Sequence, residues 1–195
     1  MTSPIYLASR SPRRAELLQQ IGVQFSVLPS DIDESERENE NPADYVLRLA
    51  KTKAEACMAL LVQGNKEIRP VLAADTTVSI DGRILGKPRD EEDARAMLQL
   101  MSGRRHEVLT ALAIASAQGM EASLSITQVE MAVLAQDEIE AYICSGEPFD
   151  KAGAYGIQGL ASTFIKRIEG SYSGVMGLPI YETVQLLKSA GIRVL

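Results

Sequence analysis

Histidine and cysteine are scarce in this chain, one of the former and two of the latter in 195 residues, and the scarcity removes several chemistries. Cys57 and Cys144 do not make the dense bridge framework of a small secreted domain, so a reducing compartment is expected. With His106 alone and no Cys-x-x-Cys pair, a His/Cys zinc site is excluded. Long apolar runs are missing as well. The longest, around Val108 to Ala115, is strand-sized and broken by Thr110, which excludes a membrane-spanning helix. Met1-Thr2-Ser3-Pro4 carries neither the basic nor the apolar part of a secretory leader, so a cytoplasmic location is expected. Net charge is −6, the opposite of a nucleic-acid binder's footprint, so any bound polyanion must be small and held locally. Neither a Walker A loop nor a Gly-x-Gly-x-x-Gly after a strand is present.

What remains is an ordinary globular composition, 46% apolar and 24% charged, sized for one large domain or two small lobes sharing a cleft. Ile5 to Ala8 reads as a buried strand running into a helix with Ser11 at the N-cap, Pro12 at N1 and Gly22 as the stop. Phe25 to Leu28 is a second strand. Asn41-Pro42 announces a helix towards Leu61, and Val71 to Ala74 is a short strand ending at Asp75. Val78 to Ile80 pairs with Arg83 to Leu85 across Asp81-Gly82. Asp90 caps a helix that stops at Gly103. Glu107 to Ala115 and Ser123 to Leu134 are long strands about Gln118-Gly119, and Asp137 with Glu140 has the pattern of a capping box. A strand from Thr163 to Ile168 and a helix from Pro179 complete an α/β chain with a mixed sheet flanked by helices; periodicity leaves the strand order open.

Several side chains stand out against this frame. Arg13 and Arg14 fall in the first turn of the first helix, where the dipole disfavours cations. An anion held by the free N–H groups would reverse that sign; pairing with Glu16 or a surface carboxylate is the alternative. Lys53 lies on the apolar stripe of Val46, Ala50, Cys57 and Leu60 and must snorkel, pair, or meet an anion. Asp75 and the acidic group Asp31, Asp33 and Glu34 offer hard oxygen ligands suited to Mg²⁺ or Mn²⁺, although, taken singly, a turn-forming Asp75 and an ordinary solvated loop are the favoured readings. Lys87 and Lys151 add cations beside rigid or glycine-rich backbone.

The ordered runs Leu7-Ala8-Ser9-Arg10-Ser11-Pro12-Arg13-Arg14, Ala74-Asp75-Thr76, Gly86-Lys87-Pro88-Arg89-Asp90, Ser102-Gly103-Arg104-Arg105-His106-Glu107-Val108 and Asp150-Lys151-Ala152-Gly153-Ala154-Tyr155-Gly156-Ile157-Gln158-Gly159 resemble the Maf family of nucleotide pyrophosphatases from end to end. The resemblance implies a single Maf-like domain over residues 1–195, with an elongated mixed sheet and two lobes around a central cleft, similar to inosine triphosphate pyrophosphatases. It implies hydrolysis of dTTP and UTP between the α and β phosphates, limiting non-standard or excess nucleotides, with Mg²⁺ or Mn²⁺, or else Co²⁺, as cofactor. By motif match Asp75 takes the proton-acceptor position, with Lys53 and Lys87 beside it. On this reading Asp75 and Glu34 would hold the metal, the sequence leaving Asp75 as base, metal ligand or both, and Ser9, Arg13, Arg14, Thr76 and Gln158 would contact substrate. A homodimer is compatible with the resemblance. Two other functions compete with this one, a nucleotide-binding regulator of septum formation and a pyrophosphatase preferring modified purines. Met131, where phenylalanine is frequent, and Gly174-Val175-Met176 depart from the pattern.

Overall fold

Local start signals set most of the elements. The computed structural model describes residues 4–194, so the reading of Met1 to Ser3 lies outside the described residues. Strand β1 (Ile5–Leu7) leads into α1 (Pro12–Gln20), with Ser11 at the N-cap, Pro12 at N1 and Gly22 past its end at φ +72°. After β2 (Phe25–Val27), helix α2 (Pro42–Gln63) opens where the Asn41 side chain accepts a bond from Asp44 N at 2.9 Å. Helix α3 (Glu91–Met101) opens the same way, Asp90 accepting from Asp93 N at 2.8 Å. Each cap satisfies an N–H that the helix cannot.

The largest departure from expectation is β3. Residues 71 to 80 form one ten-residue strand (Val71–Ile80) rather than two short ones, so Asp75 lies in its middle and not at its end. The reason is the antiparallel partner β5 (Arg105–Ser116), which pairs continuously from Val71↔Ala115 to Ser79↔Glu107 and carries the chain through Asp75-Thr76-Thr77. Thr76 and Thr77 are β-branched and suit that ladder. The hairpin to β4 (Arg83–Leu85) is as expected, with Asp81 at φ 53° and Gly82 at φ 75°, the pair of positive angles a type I′ turn needs.

Strand β6 (Gly119–Met131) returns antiparallel to β5, both strands running closer to the turn than expected. Helix α4 (Gln136–Cys144) starts earlier than the expected capping box: Glu138 accepts from Ala135 N at 2.8 Å, and only this half forms because alanine has no side-chain acceptor. Glu140 instead pairs with Arg95 at 2.6 Å. Residues 160–164 wind into a 3-10 turn, delaying β7 (Ile165–Glu169), and an unanticipated short helix α5 (Tyr172–Val175) precedes α6 (Ile180–Ser189).

The strand order left open by periodicity is β2-β1-β3-β5-β6-β7, with β4 beside β3. β1 pairs parallel with β2 and β3; the remaining pairs are antiparallel. This is the mixed sheet flanked by helices that the sequence implied. Alternation sends Val71 and Ala73 to one face, where Ala50, Ala54, Cys57 and Leu61 of α2 cover them. Leu61, not Leu60, completes that stripe; Leu60 is 41% exposed. Leu72 and Ala74 face α1 and α6 through Leu18 and Leu187. Each leucine so buried contributes roughly 1.5–3 kcal/mol. Towards the other end of the same strands a separate cluster joins Val78, Val108 and Met131 to α3 and α4 through Leu98, Met101 and Ile143. Among the described residues no helix is long and apolar enough to cross a membrane, and Cys57 and Cys144 are unbridged.

Candidate active site

A gap in the sheet creates the cleft. β1 pairs with β3 only at Val71 and Leu72, and β4 pairs with it only from Val78 to Ile80. Between them the edge of β3 lacks a strand partner at residues 73–77, and Arg14 Nη1 donates to one bare carbonyl there, Ala74 O, at 2.8 Å. Around this gap lies a cleft of about 630 Å³, the size of a small-molecule site. It is lined by the turn after β1, by Glu34 and Lys53, by Asp75 to Val78, by Gly86 and Lys87, and by Asp150 to Ala152 with Tyr155 to Ile157.

Side-chain alternation along β3 divides the chemistry. Asp75 shares a face with Val71 and Ala73 and so meets α2, where Lys53 Nζ donates to Asp75 Oδ1 at 2.6 Å. The same ammonium lies 2.6 Å from Glu34 Oε1. Lys53 therefore pairs rather than snorkels. Burial pushes the Asp75 carboxyl above the usual aspartate range, Glu34 adding to the rise while Lys53 and Arg14 oppose it. Of the acidic group only Glu34 reaches the site: Asp31 pairs with Arg10 at 2.7 Å and Asp33 accepts from Ser35 N at 2.9 Å.

Thr76 points the other way, towards Arg14. Arg14 Nε donates to Gly177 O at 2.8 Å, Nη1 to Ser9 Oγ at 3.1 Å as well as to Ala74 O, and Nη2 to Thr76 Oγ1 at 3.1 Å. Four of its five N–H groups are thereby committed. Arg14 pins the turn after β1 to β3 and to the Gly177 loop and keeps one N–H for a ligand; it does not pair with Glu16. Thr110 donates its hydroxyl to Gly174 O at 2.8 Å, so in the 2.9 Å contact between the two threonines the proton comes from Thr76. Thr76 thus offers a ligand only acceptor capacity. Ser9, 7% exposed, also accepts from Ser11 N at 3.2 Å.

Arg13 stands half-buried with Asp150 3.7 Å away, and Lys87 is exposed at the cleft with no carboxylate partner among the described residues. Lys151 donates to Glu147 O at 3.2 Å and pairs with Asp150. Gln158 is the predicted residue that the structure does not bring in: Gly156 and Ile157 line the cleft, whereas Gln158 is exposed beyond them with its amide uncommitted.

Two positioning groups escaped the sequence reading. The Glu147 carboxylate accepts from Tyr142 Oη at 3.0 Å and from Leu160 N at 2.8 Å, fixing the far end of the loop that carries Tyr155 to Ile157. A Cβ at Gly159 would come within 2.3 Å of that carboxylate. The partners are 13 residues apart in the chain, and no local pattern announces the contact. The other is His106, buried on β5, whose Nε2 lies 2.7 Å from Tyr155 Oη at the cleft wall.

Six cations (Arg10, Arg13, Arg14, Lys53, Lys87 and Lys151) line the cleft against three carboxylates (Glu34, Asp75 and Asp150). In a chain of net charge −6 that local reversal favours an anionic ligand.

A family model described as Maf-like protein matches residues 4–190. A protein of Methylobacillus flagellatus named dTTP/UTP pyrophosphatase is 62% identical over 97% of this chain and 94% of its own length. A protein of Chromobacterium violaceum with the same name is 52% identical over 97% of this chain and 96% of its own. Among solved structures, the Ham1 protein of Staphylococcus aureus covers 67% of this chain and 72% of its own, with TM-score 0.48 and 16% identity.

Proposed function

The chain belongs to the Maf family, and from that premise we propose that it hydrolyses dTTP and UTP to the monophosphate and pyrophosphate. The carrying observation is the cleft itself, where a buried carboxylate, Asp75, is surrounded by an excess of cations at a break in the sheet edge. The near-full-length relatives named dTTP/UTP pyrophosphatase support the choice of substrate.

In this reading Asp75 accepts the proton of the attacking water, and its elevated affinity for a proton suits it to that step. Lys53 holds the carboxylate in place, while Arg14 fixes β3 on either side of it through Ala74 O and Thr76 Oγ1. Arg13, Lys87 and Lys151 meet the phosphates and balance charge on the leaving pyrophosphate. Asp75 and Glu34 fit a divalent ion of the Mg²⁺ or Mn²⁺ type: both are hard oxygen donors converging on one point through Lys53, and such ions commonly take one or two carboxylates with phosphate oxygens. When bound there, the ion would supply charge neutralisation and acidify a coordinated water. The same reading has the protein act in the cytoplasm on free nucleotides and not on nucleic acid, since a net charge of −6 repels a polyanion while six cations line the cleft. Pairing of two copies is carried over from the resemblance.

The deciding experiment is a panel of nucleoside triphosphates with Mg²⁺ or Mn²⁺, scoring pyrophosphate and orthophosphate separately. Pyrophosphate from dTTP and UTP is expected; orthophosphate as sole primary product would sink the α–β cleavage. A finer expectation concerns Gln158, whose free amide follows directly on two cleft-lining residues. If the exposed side chain turns into the cleft to meet the base, Gln158→Glu, which exchanges N–H donors for acceptor oxygens, should lower the kcat/KM ratio of dTTP over other triphosphates by about tenfold, the scale of one hydrogen bond. An unchanged order of preference would leave Gln158 without a part in base choice.

A further inference from the structure

The same lysine nitrogen lies 2.6 Å from Asp75 Oδ1 and 2.6 Å from Glu34 Oε1. Its ammonium therefore occupies the point on which both carboxylates converge. A Mg²⁺-sized ion shared by these oxygens would need to approach each to about 2.0–2.1 Å, in the volume the ammonium already fills. Two cations cannot hold that point together, and the lone pairs that Lys53 engages are those a metal would need. The lysine is anchored by its backbone, Ser30 Oγ donating to Lys53 O at 3.2 Å, while its four-carbon stem leaves Nζ free to swing. At 13% exposure the ammonium loses much of its hydration, so it can leave the carboxylates only for another anion.

We propose that Lys53 is the resident counter-ion of the Asp75–Glu34 pair and yields that pair to a divalent cation only when a triphosphate arrives to receive its ammonium. Metal and nucleotide then enter together, and the free protein holds little metal of its own. The proposal rests on the reading of the cleft as a metal–nucleotide site, but its test does not depend on turnover.

The measurement is Mn²⁺ binding, followed by loss of the electron paramagnetic resonance signal of the free aqueous ion. Wild-type protein without nucleotide should show only weak binding. With a non-hydrolysable dTTP analogue it should retain Mn²⁺ beyond what the analogue binds alone. Lys53→Met without nucleotide should bind Mn²⁺ at least about tenfold more tightly than wild type, because a like charge has been removed from beside the site. Adding Glu34→Gln to Lys53→Met should abolish the gain. Wild-type protein that binds Mn²⁺ as tightly alone as with the analogue would overturn the proposal, as would a folded Lys53→Met with no gain. Circular dichroism establishes folding; if Lys53→Met does not fold, the wild-type comparison with and without the analogue decides. A protein that turns over no triphosphate on the nucleotide panel would defeat the functional reading, while Mn²⁺ binding to nucleotide-free Lys53→Met would still judge the counter-ion role.

Discussion

Asp75→Asn is expected to lower kcat for dTTP by at least about 10²-fold, the usual scale for a group that takes a proton in the transition state, while leaving the fold intact. The substitution is nearly isosteric. Its amide oxygen can still accept from Lys53 Nζ, which keeps its second partner in Glu34, so the pairing survives with one charge fewer. What is lost is an oxygen able to accept a proton, and a neutral amide cannot replace it. Stability should change little, because the charged carboxylate it removes is already disfavoured by burial. Affinity for a non-hydrolysable analogue measured without divalent metal should hold within a few-fold, since Arg13, Lys87 and Lys151 are untouched. Steady-state release of pyrophosphate, with analogue titration alongside, separates the two quantities. An Asp75→Asn protein with near-normal kcat would take Asp75 out of the chemistry.

The sequence identified Asp75 for a reason that the structure replaces. It was expected to end a short strand, whereas it sits inside one that continues to Ile80. The site nevertheless opens there because β1 stops pairing at Leu72 and β4 begins at Val78. That gap is a property of strand order, which hydrophobic periodicity does not encode. Helix starts were legible because their signals are local: Pro12, Asn41-Pro42 and Asp90 each act within one turn. Lys53 was legible as an ammonium on an apolar stripe, but its partners lie in other segments. Arg14 was legible as a misplaced cation, and its resolution was not: neutral oxygens from four separate positions hold it. Gln158, known only through motif likeness, is the residue whose side chain the fold leaves outside the cleft.

Lowering the pH from 7.5 to 5 should cost the wild-type protein about 2 kcal/mol of stability that a His106→Gln variant does not lose. His106 is the only histidine in the chain and is 2% exposed, so a titration between these values isolates one imidazole. Its Nε2 meets Tyr155 Oη at 2.7 Å, while Nδ1 has no hydrogen-bond partner among the described residues. Burial pulls its pKa down to about 4 from 6.5. The folded state therefore refuses a proton that the unfolded chain accepts below about 6.5. Unfolding takes up a proton throughout that window, so stability falls as pH falls from about 6.5 to about 4, by about 3 kcal/mol when complete. Carboxylates held below their ordinary values, such as Glu40 beside Arg48 at about 2, act mainly at lower pH. Asp75, raised by burial, contributes with the opposite sign but is common to both proteins and cancels in the difference. Urea unfolding of wild type and variant at the two pH values gives that difference directly, and parallel losses would show that the His106 imidazole does not control it. Because Tyr155 Oη both bonds this imidazole and belongs to a residue of the cleft wall, protonation of the folded protein would leave Nε2 able only to donate, and the Tyr155 oxygen would then have to accept from it.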